Sequence, residues 1–308
     1  MRLVSYEDAG RSTFGVLVGT AEGDAIIDAA GLVQGCRDIV DVLAADCLPE
    51  LHQAAAEKTP DVALADVTLL PVVPNPGKIL CAGVNYRSHR DEAARPEQAA
   101  PTVFLRFADS QIGAGQPAQI AHEVTKFDYE GEVAVVLGRG GRRIPADRAL
   151  EHIAGYACYN DFSSRDWQRH SGQWTPGKNF PGSGAFGPWL LTADEVPDPT
   201  ALVLQTLVND DVRQSASLAD LIFSIPELIA YMSTFTPLAP GDVIVTGTPG
   251  GVGLFRDPPS FLSPGDIVEV RVNGMGCLVN EIIAERGDNG ADLLPPARQA
   301  NAPALRAG

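Results

Sequence analysis

The sequence predicts a mixed, largely β fold (α+β) with a few covering helices. Three observations carry that expectation. From Lys78 onward short apolar runs are bounded by Gly, Pro, Asn and Asp, the punctuation of strands and turns. Strand-like and helix-like runs do not alternate regularly, which disfavours a doubly wound parallel sheet. Hydrophobic residues form 45% and charged residues 20% of 308, close to the globular average, so a sizeable core is available.

The amino-terminal residues 1–72 read as a small α+β module, with strand-like runs Phe14–Gly19 and Asp24–Asp28 and a helical stretch from Arg37 to Lys58. A proline-dense connector, PVVPNPGK at 71–78, marks the expected boundary. The second domain, 73–285, carries strands in KILCAGV, EVAVVLG, LVLQTLV, DVIVTG and DIVEVRVNG. The last reaches Asn273-Gly274, a pair favoured in type I′ hairpin turns, before CLVNEI. Helices are expected at Ala146–His152, Ser164–His170 and Pro226–Ser233, the last with Ser224 near its start and proline in its first turn. From 286 to 308 periodicity is lost, and a flexible tail is expected.

Charge narrows the partners. Twenty-three basic against 39 acidic residues give a net charge of −16, a field that repels nucleic acid and anionic membrane surfaces. No run approaches the length of a membrane span, and the start MRLVSYEDAG is acidic rather than signal-like, so a cytoplasmic location is expected. Cys36, Cys47, Cys81, Cys158 and Cys277 are scattered and form no CxxC pair, which argues against a disulfide framework or a thiolate zinc site.

The sharpest chemical feature is Asp128-Tyr129-Glu130-Gly131-Glu132 running into EVAVVLG. In an extended chain Glu130 and Glu132 share a face with Ala134 and Val136, which puts two carboxylates at the mouth of an apolar strand. Taken alone, the pair also suits a solvated strand end. Asp161, after the strand-like IAGYAC, can join them from a neighbouring strand. Three carboxylates without cysteine suit a hard cation such as Mg²⁺, Mn²⁺ or Ca²⁺.

His89 and Glu92 in GVNYRSHRDE are three apart, one helical turn. A carboxylate beside an imidazole makes a general base, although so charged a segment also reads as an exposed polar turn. Arg165, Gln168 and Lys178 follow Asp161 and can donate to an anionic substrate. The turn VTGTPGGVG can aim backbone N–H groups and the Thr248 hydroxyl at a carboxylate; it lacks the features of a nucleotide loop.

GVNYRSHRDE, FDYEGEVAVVLG, YNDFSSRDWQ, QWTPGKNF, GPWLLTADE and PGDVIVTGTPGGVG occur in an order that resembles the fumarylacetoacetate hydrolase family, over about Lys78 to Ile283. The resemblance implies that family's β-sandwich roll, a homodimer, and a divalent metal, Mg²⁺ or else Mn²⁺ or Ca²⁺. It implies Glu130, Glu132 and Asp161 as metal carboxylates and His89 with Glu92 as a water-activating dyad. Lys178 then matches the active-site lysine, and Arg165, Gln168 and Thr248 match substrate-side positions. The implied reaction is hydrolysis of a C–C bond in a 2,4-diketo acid or acylpyruvate, a small anionic oxo acid. Decarboxylation of a β-keto acid, or isomerisation or hydration of an unsaturated oxo acid, remains open at the same site. Two departures stand out: the stretch Phe180 to Pro188 differs from the family's usual run after the lysine, and Arg106 stands where many relatives carry lysine.

Overall fold

A computed structural model describes residues 1–21 and 23–285; the expected tail at 286–308 lies outside the described residues. Its main sheet has twelve strands. Ten form a continuous path, in the order Val62–Ala63, Gly23–Asp28, Arg11–Thr20, Arg2–Asp8, Gly184–Thr192, Ile153–Asn160, Gly131–Leu137, Val243–Val245, Ile79–Gly83 and Thr102–Arg106. A second sheet has five strands, Asp211–Ser217, Val203–Val208, Ile267–Val272, Gly276–Ala284 and Ala118–Ile120. The mixed, largely β architecture expected from the sequence is the one observed.

Period-two alternation explains how the layers meet. Val133 and Val135 of Gly131–Leu137 face a core shared with Leu204, Val208, Val268 and Val270 of the second sheet. Ala134 and Val136 face the opposite way, into a core shared with Leu3, Phe14, Ile39, Val42 and Leu51. Buried on both faces, the strand reads as a continuous apolar run.

That second core joins the amino-terminal residues to the rest. The strand Arg2–Asp8, absent from the sequence reading because RLVSYED is half polar, pairs with both Arg11–Thr20 and Gly184–Thr192. The expected boundary at 71–78 is therefore crossed by a hydrogen-bonded ladder and a common apolar cluster.

Several elements differ in detail. The helical stretch 37–58 is two helices, Ile39–Ala44 and Leu48–Ala56, broken at Asp46, whose φ is +56°. Ser164–His170 contributes a single turn, Arg165–Gln168, and Ala146–His152 is a 3₁₀ helix. The helix Ile225–Phe235 begins with a capping box between Ser224 and Glu227. No type I′ turn forms at Asn273-Gly274: Val272 pairs with Gly276 across a three-residue loop in which Gly274 has φ +81°, while the Asn273 carboxamide oxygen accepts the Val203 N–H at 2.6 Å. The asparagine is used to anchor a neighbouring strand.

Removing residues 1–72 would bare Phe186, Leu190, Ala134 and Val136, all fully buried here. Burial of such side chains contributes roughly 1.5–3 kcal/mol each for the large ones, so the fragment 73–308 is expected to be insoluble or to lose cooperative unfolding. A soluble fragment with a single sharp melting transition would contradict this shared core.

Candidate metal centre and active site

The register of two antiparallel strands assembles the acids. Gly131 lies opposite Asn160 and Glu132 opposite Tyr159, so Glu130 and Asp161 are neighbours just past the paired ends; the Asp161 N–H donates to the Glu130 carbonyl at 2.9 Å. One carboxylate oxygen from each of Glu130, Glu132 and Asp161 falls within 4.8 Å of the others, and all three side chains are buried. Gly131, between the two glutamates, must be glycine: a Cβ there would stand 1.9 Å from the Thr206 hydroxyl.

Three cations meet these acids. Lys178 Nζ donates to Glu130 at 2.7 Å and to Asp161 at 2.5 Å, and lies 4.8 Å from the Phe104 ring centroid. Arg165 Nη1 pairs with Glu130 at 2.5 Å, and its Nε donates to Asp128 at 2.8 Å. Arg106 donates to the other Asp161 oxygen, to the Phe162 carbonyl and to the Ser183 hydroxyl. Burial works against the Lys178 charge, but Asp161 and Glu130 outweigh it and raise its pKa. Burial likewise opposes the Glu130 charge, yet Arg165 and Lys178 hold its carboxyl well below the usual range.

Glu132 is left over. Its carboxylate accepts the Gly247 N–H at 2.6 Å. Burial, with Asp161 and Glu130 adding their charges, pushes its carboxyl well above the usual range. Among the described residues, four buried carboxylates, counting Asp128, thus face three buried cations, and the cluster is one positive charge short. An all-oxygen donor set with surplus negative charge fits a hard divalent cation, and these residues could hold one.

The His89–Glu92 dyad sits on the short helix Arg87–Glu92, which follows the strand Ile79–Gly83. His89 Nδ1 is 2.7 Å from Glu92 Oε1, and Glu92 Oε2 accepts the Gly251 N–H at 2.8 Å. The Ser88 hydroxyl accepts the Gly250 N–H at 3.0 Å, so the helix is laced to the glycine turn after Val243–Val245. Tyr129, between two of the acids, donates to the Gly251 carbonyl at 2.9 Å and links that turn to the acidic segment. Val84, a β-branched residue at φ +55°, holds the entry to the helix in a strained conformation.

His89 of the dyad and two of the three acids open onto one cavity of about 80 Å³, lined by His89, Glu130, Glu132, Arg165, Gln168, Lys178 and Thr248, with Trp174, Phe104 and Phe255 as apolar wall. That volume suits a molecule of few heavy atoms. Trp174 lies so close over Gly83 that a Cβ there would stand 2.2 Å from the indole.

All nine residues singled out in the sequence thus come together, but their engagements differ from those expected. Arg165 is committed to Asp128 and Glu130, and its buried Nη2 alone has no partner. Gln168 accepts from Arg165 at 3.1 Å. Thr248 gives its hydroxyl proton to the Gly131 carbonyl at 2.9 Å and accepts from Gln214 at 2.7 Å, so that proton does not face the cavity. Sequence reasoning missed Gln214, which comes from the second sheet and also accepts the Gly131 N–H at 3.0 Å. It also missed Asp128, which is fully buried and accepts the N–H groups of Gly253 and Leu254, fixing the turn that carries Phe255. Its place in DYEGE was the available signal. Arg106 was noticed only as a departure.

The raised Glu132 pKa has a pH consequence. Its protonated form stabilises the metal-free fold at low pH, and that contribution is lost as pH rises through the folded value; a cation requiring the ionised group competes with the proton. The gain in melting temperature from Mn²⁺ or Mg²⁺ is expected to grow as pH rises beyond the ordinary carboxylate range, and a gain that is flat or shrinks would contradict it.

The profile described as fumarylacetoacetate (FAA) hydrolase C-terminal matches residues 78–283. The mitochondrial oxaloacetate tautomerase FAHD2A of Bos taurus is 39% identical over 238 residues, covering 77% of this chain and 76% of the relative. Maleylpyruvate hydrolase from Sphingobium sp. SYK-6, solved with manganese(II) and pyruvate, superposes with a TM-score of 0.78 at 28% identity, covering 93% of this chain and all of that one. The 5-carboxymethyl-2-hydroxymuconate delta-isomerase of Mycobacterium smegmatis does so with a TM-score of 0.73 at 31% identity, covering 92% of this chain and all of that one. Tautomerase, hydrolase and isomerase thus share this fold, and the chain belongs to the fumarylacetoacetate hydrolase family.

Proposed function

We propose that the chain is a divalent-cation-dependent enzyme that moves a proton at the carbon next to the 2-oxo group of a small oxo acid, interconverting its keto and enol forms. One observation carries the reading: a histidine held by a carboxylate shares a cavity of about 80 Å³ with Glu130 and Glu132, two of three clustered buried acids. The similarity to oxaloacetate tautomerase favours proton transfer, and the small cavity favours a compact substrate.

A cation held by Glu130, Glu132 and Asp161 would supply positive charge to the oxygens of the 2-oxo acid. Glu92 holds the Nδ1 side of His89, which leaves Nε2 to take the proton from the substrate carbon and pass it to the 2-oxo oxygen in forming the enol, and to carry it back from oxygen to carbon in the reverse direction. Lys178, kept charged by Glu130 and Asp161, adds a fixed positive group beside the oxygen on which charge develops. The apolar wall of Trp174, Phe104 and Phe255 limits water.

A second reading, hydrolysis of a C–C bond in a 2,4-diketo acid, is favoured by the likeness to a manganese-bound maleylpyruvate hydrolase. It uses the same dyad to deprotonate water. The two part on products: ultraviolet decay of enol-oxaloacetate with carbon skeleton intact supports tautomerisation, whereas acylpyruvate decay into two acids supports hydrolysis.

In either case Glu132→Ala is expected to abolish cation-dependent turnover, and His89→Ala to slow it by on the order of 10²- to 10⁴-fold, as for loss of a general base. Turnover that survives both EDTA and Glu132→Ala would overturn the proposal.

A further inference from the structure

We propose that Gln214, a residue of the second sheet, is a positioning residue that sets the spacing between the three acids and the glycine turn holding the dyad; this rests on the cation-dependent reading above. Gln214 lies on the strand Asp211–Ser217, at the edge of its sheet. It is 1% exposed, whereas Val212, two residues earlier, is 55% exposed. Residues two apart on a regular strand share a face, so this reversal needs a break in the pairing. The register supplies one: Thr206 pairs with Gln214 and Leu207 with Val212, which leaves Arg213 as an extra, bulged residue. The chain thus exposes a valine and buries a carboxamide, the opposite of what hydrophobic burial favours.

What the carboxamide reaches accounts for its burial. Its Oε1 accepts the Gly131 N–H at 3.0 Å, between Glu130 and Glu132. Its Nε2 donates to the Thr248 hydroxyl at 2.7 Å and to the Pro249 carbonyl at 2.8 Å. Thr248 in turn donates to the Gly131 carbonyl at 2.9 Å, which closes a ring of hydrogen bonds joining the acidic segment, the turn and the second sheet. The turn is also pressed onto the bulge: at Gly251, φ +108°, a Cβ would stand 2.2 Å from the Arg213 carbonyl oxygen. That same turn holds both functional groups, since the Gly247 N–H meets Glu132 and the Gly251 N–H meets Glu92. One side chain from a separate sheet therefore fixes where Glu132 and the His89–Glu92 pair stand relative to each other. Groups that orient ligands in this way govern affinity for a metal without touching it.

The test compares the wild-type full chain with Gln214→Met, which keeps the length of the side chain and removes its hydrogen bonds. A second variant, Val270→Ala, cuts the core of the same sheet and takes part in none of these hydrogen bonds. Mn²⁺ affinity is read by calorimetry, and amide exchange of Gly247 and Gly251 by NMR without added cation. Gln214→Met is expected to bind Mn²⁺ about tenfold more weakly or worse and to exchange both amides about tenfold faster, the scale of a lost support to a metal ligand. Val270→Ala is expected to lower the melting temperature while leaving both readouts within about twofold of the wild type. Wild-type affinity or wild-type exchange in Gln214→Met, or equal losses in Val270→Ala, would overturn the proposal. Should Gln214→Met fail to fold, Thr248→Val opens the same ring from the turn side and is held to the same two outcomes. A wild type that binds no Mn²⁺ sinks the proposed function instead, and the cation-free exchange then decides alone whether Gln214 holds the turn.

Discussion

An excess of buried negative charge at one end of the strand Gly131–Leu137 governs the arrangement around it. A carboxylate in a dry interior is stable only when paired, hydrogen-bonded or protonated. Asp128 satisfies this with Arg165 and three backbone N–H groups, Asp161 with Arg106 and Lys178, and Glu130 with Arg165 and Lys178. Glu132, with one backbone donor and no cation among the described residues, is driven toward its protonated form. The same charge deficit that weakens the metal-free protein gives a cation its affinity, so stability and function draw on one imbalance.

The fold supplies what such a cluster needs. Its strand is covered on both faces, so the acids sit where solvent screening is weak and a small change in charge matters. The dyad is built on a separate element, yet the Glu92–Gly251–Tyr129 hydrogen bonds tie it to the acidic segment. Glu92 thereby serves two tasks with its two oxygens, orienting His89 and holding the helix against the glycine turn.

Much of this was legible in the sequence, for definite reasons. Alternation in EVAVVLG and the spacing in DYEGE report the strand and its acidic mouth directly, because side-chain direction follows from period two. His89 and Glu92 are readable because one helical turn brings them together. What was hidden depends on pairing between distant segments. Nothing local in RLVSYED announces a central strand, since the partner that makes it central, beyond its own hairpin, lies at 184–192. Gln214 reaches Thr248 only through the packing of the second sheet, and the choice of Arg165 for Asp128 over a ligand is a matter of register. The Asn273-Gly274 expectation failed because Asn273 is spent on a neighbouring strand.

The central claim is that Glu130, Glu132 and Asp161 form a cation site because their cluster lacks one positive charge. Anomalous diffraction from crystals of the full chain grown in Mn²⁺ tests it most directly. The account predicts one strong peak in contact with oxygens of all three carboxylates, lost in Glu132→Gln. A peak elsewhere with none at these acids, or one unchanged by that substitution, would contradict it.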